Sequence, residues 1–301
     1  MHQEIIFPHD EPAKTLENFL KKRFPIGYVR KLLRKNGVRV NGCITKAGAI
    51  LAPGDRLEFY IPFEKPAKYP LPAHRLRPQL DVIFEDEAVL VINKPAGIAV
   101  HEARGILKRD TVIGILESRY RAERIVPRLV HRLDKDTSGV LVVAKGEKAG
   151  RELEACFKDE KIEKEYLCLV AGRIQDKEGK ITMPLPGREG KPVRALTCFK
   201  IEKRFSETTF LRVWIATGRM HQIRLHFAGL GYPIVMDDQH GDFGFNKRFR
   251  KLYGLKRQFL HAVRLTLQYG GKKRTWVAPL PADLQQTLNA LRIAHEEVAQ
   301  S

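Results

Sequence analysis

Prolines stand at positions 62, 66, 70, 72 and 78. Each fixes its own φ, lacks a backbone donor and pushes the preceding residue toward extended geometry. No helix or central strand survives such spacing, so the stretch reads as an extended linker. The chain is therefore expected to fold as two separate units. We read 1–64 as a small domain, 65–80 as a proline-rich linker and 81–301 as the main domain. With 301 residues and 43% apolar content, one sizeable core fits beside a minor one.

In the small domain, Thr15 is a helix cap ahead of Leu16, Phe19 and Leu20, with Pro25 as the stop. A second helix is predicted from Tyr28 to Asn36, closed by Gly37. Its apolar residues Val29, Leu32 and Leu33 share one face. Arg30, Lys31, Arg34 and Lys35 share the other. Val38 and Val40 lead into an Asn41-Gly42 hairpin turn, and Leu57, Phe59 and Ile61 alternate as a strand. Six basic residues, Arg39 among them, and no acid lie between Tyr28 and Lys46. Such a run is either a solvated face or a surface for phosphates.

The formal net charge of +19 favours a polyanionic partner, nucleic acid or an anionic membrane. No apolar run approaches the roughly 18 residues of a membrane span, and Met1–Asp10 lacks a secretory hydrophobic stretch. Cys43, Cys156, Cys168 and Cys198 are scattered, which argues against disulfides or a zinc knuckle and fits a cytoplasmic protein.

In the main domain, Val89–Ile92, Val140–Ala144, Glu165–Val170 and Phe210–Ala216 read as strands. Thr111–Glu123 and Lys148–Phe157 read as helices. The class is α+β, with a mixed, largely antiparallel sheet and flanking helices. A second basic region, 243–282, holds ten lysines and arginines and no acid, with Phe243, Phe245, Phe249, Tyr253 and Phe259 interleaved. These rings suit either stacking on unpaired bases or packing in the core.

The most informative stretch is His131-Arg132-Leu133-Asp134-Lys135-Asp136-Thr137-Ser138-Gly139. It is a polar turn between the apolar runs Ile125–Val130 and Val140–Ala144, both read as buried strands. Arg128, Arg132 and Lys135 surround Asp134 in sequence. Such cations keep a carboxylate ionised, as a nucleophile or base or as half of a structural ion pair.

This stretch resembles the signature of the RluA-type pseudouridine synthases. Four further blocks resemble that family in order: Asn93-Lys94-Pro95-Ala96-Gly97 with His101, Lys164-Glu165-Tyr166, Thr217 to His226, and Phe259-Leu260-His261-Ala262. The N-terminal pattern is similar to the αL RNA-binding module. The resemblance implies the pseudouridine-synthase fold with a cleft across the sheet, no cofactor, and isomerisation of uridine in RNA. It implies Asp134 as the catalytic aspartate, Tyr166 as the pocket tyrosine and Arg224 as the partner of the aspartate. Arg132, with His131 beside it, matches the position that fills the space of a flipped base. Ile223 and Leu225 flank Arg224 and are expected to wall the pocket. An Arg fork is expected to hold the Asp134 carboxylate in two contacts.

Rival readings are weaker. Asp136-Thr137-Ser138-Gly139 looks like an aspartic-protease loop, but that chemistry needs a second such carboxylate. His221 and His226 are five apart, about 140° on a helix, unlike an i, i+4 zinc pair. Ser138 with His131 lacks a nucleophile elbow. A non-catalytic RNA-binding or ribosome-assembly factor fits the charge equally well, but has no use for Asp134, Tyr166 and Arg224 together. Met220 and the run Val235-Met236-Asp237-Asp238-Gln239-His240-Gly241 depart from the common family pattern. That run and the basic segment after it resemble the C-type branch of the family, whose members act on RNA of the large ribosomal subunit. The resemblance implies 23S ribosomal RNA, free or in a pre-ribosomal particle, as partner, with tRNA as the alternative. The chain is read as a monomer.

Overall fold

The computed structural model describes residues 3–8, 11–24, 26–60, 80–103, 106–158, 162–187 and 191–300. The chain divides into two compact units, Met1–Leu76 and Arg77–Ser301. The prolines at 62–78 lie outside the described residues, as do Pro25 and Ile61.

In the first unit the elements are β1 (Gln3–Ile6), β2 (Lys14–Thr15), α1 (Leu16–Arg23), α2 (Ile26–Arg34), β3 (Val38–Val40), β4 (Cys43–Ile44), β5 (Ile50–Leu51) and β6 (Arg56–Phe59). Thr15 caps α1, its hydroxyl accepting from Asn18 N. Helix α2 starts two residues earlier than predicted and also stops two residues earlier, ahead of Asn36 with its left-handed φ of 49°. Asn41 and Gly42 are also left-handed, so the β3–β4 hairpin closes on the turn its sequence demands. Val29 and Leu32 join Phe19, Leu20 and Leu57 in one core. That leaves Arg30, Lys31, Arg34 and Lys35 exposed on the far side of α2.

The second unit contains β7 (Asp81–Glu85), β8 (Val89–Lys94), α3 (Val112–Arg119), β9 (Pro127–Leu129), β10 (Ser138–Lys145), α4 (Glu147–Lys158), β11 (Glu163–Ala171), β12 (Glu178–Ile181), β13 (Leu185–Pro186), β14 (Pro192–Val193), β15 (Thr197–Arg204), β16 (Thr208–Ile215), α5 (Gln222–Gly229), α6 (Phe243–Tyr253), β17 (Leu260–Tyr269), β18 (Lys272–Val277) and α7 (Ala282–Gln300). Its main sheet runs β12-β15-β16-β11-β17-β10-β8-β7, with β18 beside β17 and β9 beside β10. The pairings are antiparallel except β10 with β17, so the sheet is mixed and largely antiparallel as expected.

Strand β10 is buried on both faces, which accounts for its unbroken apolar run. Leu141 and Val143 enter one core with Leu116, Tyr166 and Ile223. Val140 and Val142 enter another with Ala149 and Leu153 of α4. A third core packs α6 and α7 against Leu169 and Phe259.

Several expectations need correction. Only Pro127–Leu129 of the run Ile125–Val130 forms a strand, paired to the last residues of β10, and Val126 is 66% exposed. Helix α3 ends at Arg119, short of Glu123. Of the rings offered for base stacking, Phe245, Phe249 and Phe259 are buried in the third core and Tyr253 packs against it; Phe243 remains 66% exposed. The spacing of Phe245 and Phe249, i and i+4, puts both on the inner face of α6.

The parallel junction is short. Ser138 stands opposite His261 and Gly139 opposite Ala262. His261 Nε2 donates to Ala278 O (3.1 Å), so its Nδ1 accepts from the Ser138 hydroxyl (2.9 Å). Burial, outweighing the Ala278 bond, pushes the His261 pKa down to about 4. A Cβ on Gly139 would meet Ala262 O at 2.1 Å, at a φ of +119°.

Two outcomes follow from this junction. Gly139→Ala should cost about 3 kcal/mol or more of stability in denaturant unfolding, since both steric clash and φ oppose it. Below its ordinary value of about 6.5, His261 takes up a proton in the unfolded chain but not in the folded one. Stability should therefore fall as pH drops from about 6.5 toward 4 and stay flat above, by up to about 1.4 kcal/mol per pH unit for this group. His261→Gln should flatten that part of the slope in a pH series of urea midpoints.

Candidate active site

Three segments converge at one end of the β10–β11 region: the turn before β10, the body of β11, and the start of α5. They bring Asp134, Tyr166 and Arg224 around a cavity of about 280 Å³, with Arg132, Ile223 and Leu260 also in its lining.

The turn is fixed from beneath by Lys94, which is fully buried at the end of β8. Its ammonium donates to three carbonyls: Pro95 O (2.7 Å), Ile98 O (2.9 Å) and Lys135 O (3.0 Å). Gly97 N also donates to Lys135 O. Burial lowers the Lys94 pKa to about 7, although Asp136 pulls the other way. From the other side, Gln258 Nε2 donates to the Thr137 hydroxyl (2.7 Å). Asp134 therefore sits on a loop tied at several points, as a precise site requires.

Arg224 is 4% exposed on α5. Its Nη1 donates to Asp134 Oδ2 at 3.0 Å. The two-contact fork goes elsewhere, to fully buried Asp237: Nε to Oδ2 at 2.6 Å and Nη2 to Oδ1 at 2.7 Å. This corrects the expectation of a fork on Asp134. Asp237 is itself held by the backbone N–H groups of Gln239 and His240, each 2.9 Å from Oδ1. Asn246 of α6 donates to Asp237 O and accepts from Met236 N. Burial works against an ionised Asp237, but the Arg224 bond and the backbone donors outweigh it and hold its pKa below the usual carboxylate range. Burial likewise opposes a charged Arg224, and Asp237 and then Asp134 more than restore it.

Tyr166 is buried on β11. Burial first, and the Asp134 charge second, raise its pKa, so the phenol stays protonated. A neutral hydroxyl beside a carboxylate is suited to moving a proton, and its ring to packing on a planar base.

Other expected residues divide. Arg132 is exposed at the rim of the cavity. His131 lines it but is no cation for RNA. Its Nε2 accepts from Val142 N (2.8 Å), its ring stacks on Phe157, and burial drives its pKa down to about 3. Ile223 lines the cavity and Leu225 does not. Residues two apart on a helix point about 200° apart, so only one of the pair can face in. His226 is a buried brace bonded to Thr197 and Met183. Ser138 is committed to His261, not His131. Among the described residues no cluster could hold a metal ion, and no helix is long and apolar enough to cross a membrane. Asp237 and Lys94 were missed as individual sites. Both lie within quoted blocks, and no local pattern singles out Asp237 from Asp238 beside it.

The fold and this carboxylate–arginine–tyrosine cavity agree with the RNA-modifying isomerase that the sequence blocks resemble. The family described as RNA pseudouridylate synthase matches residues 88–229. The ribosomal large subunit pseudouridine synthase C of Salmonella typhi is 36% identical, over 94% of this chain and 94% of that one. The enzyme of the same name from Escherichia coli (strain K12) is 36% identical, over 95% of each. Human RNA Pseudouridylate Synthase Domain Containing 4 superimposes with a TM-score of 0.60 at 23% identity, covering 70% of this chain and 93% of its own. That last likeness supports the fold. The chain belongs to the RluA-type RNA pseudouridine synthases, in the branch of the C-type enzymes, and it isomerises uridine in RNA.

Asp237→Asn keeps the shape but removes the charge that seats Arg224. It should lower kcat on ribosomal RNA transcripts by about a hundredfold, the usual consequence of a misplacement near 1 Å. It should also destabilise the fold by roughly 3 kcal/mol, because a buried guanidinium loses its main counter-ion.

Proposed function

We propose that this chain converts uridines of large-subunit ribosomal RNA to pseudouridine, with Asp134 as the catalytic group. The observation that carries the reading is the chain Asp237–Arg224–Asp134 ending in a cavity beside Tyr166. The names of the C-type relatives support ribosomal RNA as the substrate class. The reaction breaks the bond from ribose to N1 of uracil, turns the freed base, and rejoins it through carbon five. It needs a carboxylate as nucleophile or base, a cavity that retains the base, and no redox or energy donor. The uridine must leave its stack first. Arg132, exposed at the rim, is placed to occupy the vacated space. Tyr166 packs on the base and assists the proton at carbon five.

We assign RNA docking to α2 and the strand after it. Arg30, Lys31, Arg34 and Lys35 are exposed and have no carboxylate partner among the described residues. Arg39 is half-buried, with its guanidinium 4.5 Å from the centre of the Tyr60 ring. These contacts would position RNA without reading its sequence. We read the chain as a cytoplasmic monomer, acting on free RNA or a pre-ribosomal particle.

Asp134→Asn should abolish isomerisation of ribosomal RNA transcripts while leaving RNA affinity nearly unchanged. Activity within about tenfold of wild type, roughly 1.4 kcal/mol of barrier, would contradict the assignment. Arg30→Glu with Arg34→Glu should weaken RNA binding and make the plot of log affinity against log salt shallower by about two phosphate contacts. An unchanged slope would return α2 to a solvated face.

A further inference from the structure

Two imidazoles stand beside Asp134 without a part in the scheme above. His221, just before α5, holds a left-handed φ of 51°, a pose that costs energy for any residue but glycine. In that pose its Nε2 lies 3.8 Å from Asp134 Oδ1, the oxygen that Arg224 leaves unused. Its Nδ1 is hydrogen-bonded to His240 Nε2 at 3.0 Å. His240 is half-exposed, and its backbone N–H is fixed on Asp237. The order is thus Asp134, His221, His240, solvent. The charged groups facing His221 are Asp134, Arg224 and Asp237. Burial first, and the Arg224 and His240 neighbours next, hold its pKa below the usual imidazole range against the pull of Asp134, so the ring is neutral near pH 7.

An imidazole pair sharing one bridging proton has two polarities. In the first, His221 donates Nδ1–H to His240 and turns a bare Nε2 toward Asp134, matching a protonated carboxyl. In the second, His240 donates and His221 turns Nε2–H toward Asp134, matching a carboxylate. The 3.8 Å gap exceeds a hydrogen bond but is spanned by one water or a small tilt of the ring, and such contacts tighten when substrate binds.

We propose that His221 and His240 form a proton relay between Asp134 and solvent. The relay rests on the reading of Asp134 as the catalytic carboxylate and takes it in the role of base, with Tyr166 assisting the transfer from carbon five. Isomerisation exchanges a C5–H bond of uracil for an N1–H bond, so one proton leaves carbon five and one reaches N1. Asp134 Oδ1–H passes the first proton to Nε2 of His221. That ring passes its Nδ1 proton to Nε2 of His240, which releases its own Nδ1 proton to water. The pair now has the second polarity. Reverse passage returns a proton from water to Asp134 for N1 and restores the first. No electrons are transferred and water is the only other participant.

The test compares three variants of the full-length protein on a large-subunit ribosomal RNA transcript. Gln at 240 supplies an N–H to His221 but cannot pass a proton through itself. His240→Gln and His240→Ala should both lower kcat by about tenfold or more, with KM within about twofold. Free imidazole should restore part of the His240→Ala turnover and none of that of Asp134→Asn. Wild-type kcat in His240→Gln, a loss confined to KM, or a His240→Ala defect that imidazole leaves untouched would each overturn the relay. The two readings fail differently: an active Asp134→Asn sinks the role of Asp134 itself, whereas an inactive Asp134→Asn beside a fully active His240→Gln sinks only the relay.

Discussion

The site depends on a guanidinium taken almost wholly out of water. A buried Arg224 is tolerable only because Asp237 meets it with two short bonds and spends its remaining acceptor capacity on backbone donors. Truncating one partner of such a pair leaves a charge stranded in the interior, which is why the pair acts as a single unit. Its consequence is positional. With Nε and Nη2 committed to Asp237, only Nη1 points at Asp134, and it points there in one orientation. The arginine is thus a fixed strut between a carboxylate that holds it and a carboxylate that uses it.

The opposite end of the strut needs an equally fixed loop. Lys94 supplies it by gathering three carbonyls, one of them from the residue after Asp134. The short parallel contact of β10 with β17 supplies the rest. Gly139 allows Ala262 to approach, and Ser138 locks onto His261. The sheet, the buried lysine and the buried arginine pair therefore converge on the placement of one partly exposed acid. That acid faces a neutral tyrosine across a small cavity, an arrangement in which charge and proton donor are ready before substrate enters.

Much of this was legible in the amino-acid sequence where a residue's type and its neighbours point the same way. Asp134, Tyr166 and Arg224 stood out in blocks, and the long strands β10 and β11 followed from apolar runs. What escaped was direction. Ile223 and Leu225 looked equivalent as flankers, yet helical geometry turns only Ile223 inward. His131 looked like a companion of Arg132, but its ring turns back onto Val142 and Phe157. The rings of α6 were left open between base stacking and core packing because of the cations between them, while the i, i+4 spacing of Phe245 and Phe249 already encoded a buried face. Asp237 was hidden by a different cause. Its partner, Arg224, lies 13 residues earlier in the chain, and no local pattern pairs them.

The claim that Asp237 acts through Arg224, and Arg224 through Asp134, is tested most directly by a double-mutant cycle in kcat. Arg224→Lys and Asp237→Asn are measured singly and together on the same ribosomal RNA transcript. If they form one strut, the second substitution finds nothing left to break, and the double variant turns over no more slowly than the slower single variant. Multiplication of the two losses would mean that the residues contribute independently, and that the strut is not what places Asp134.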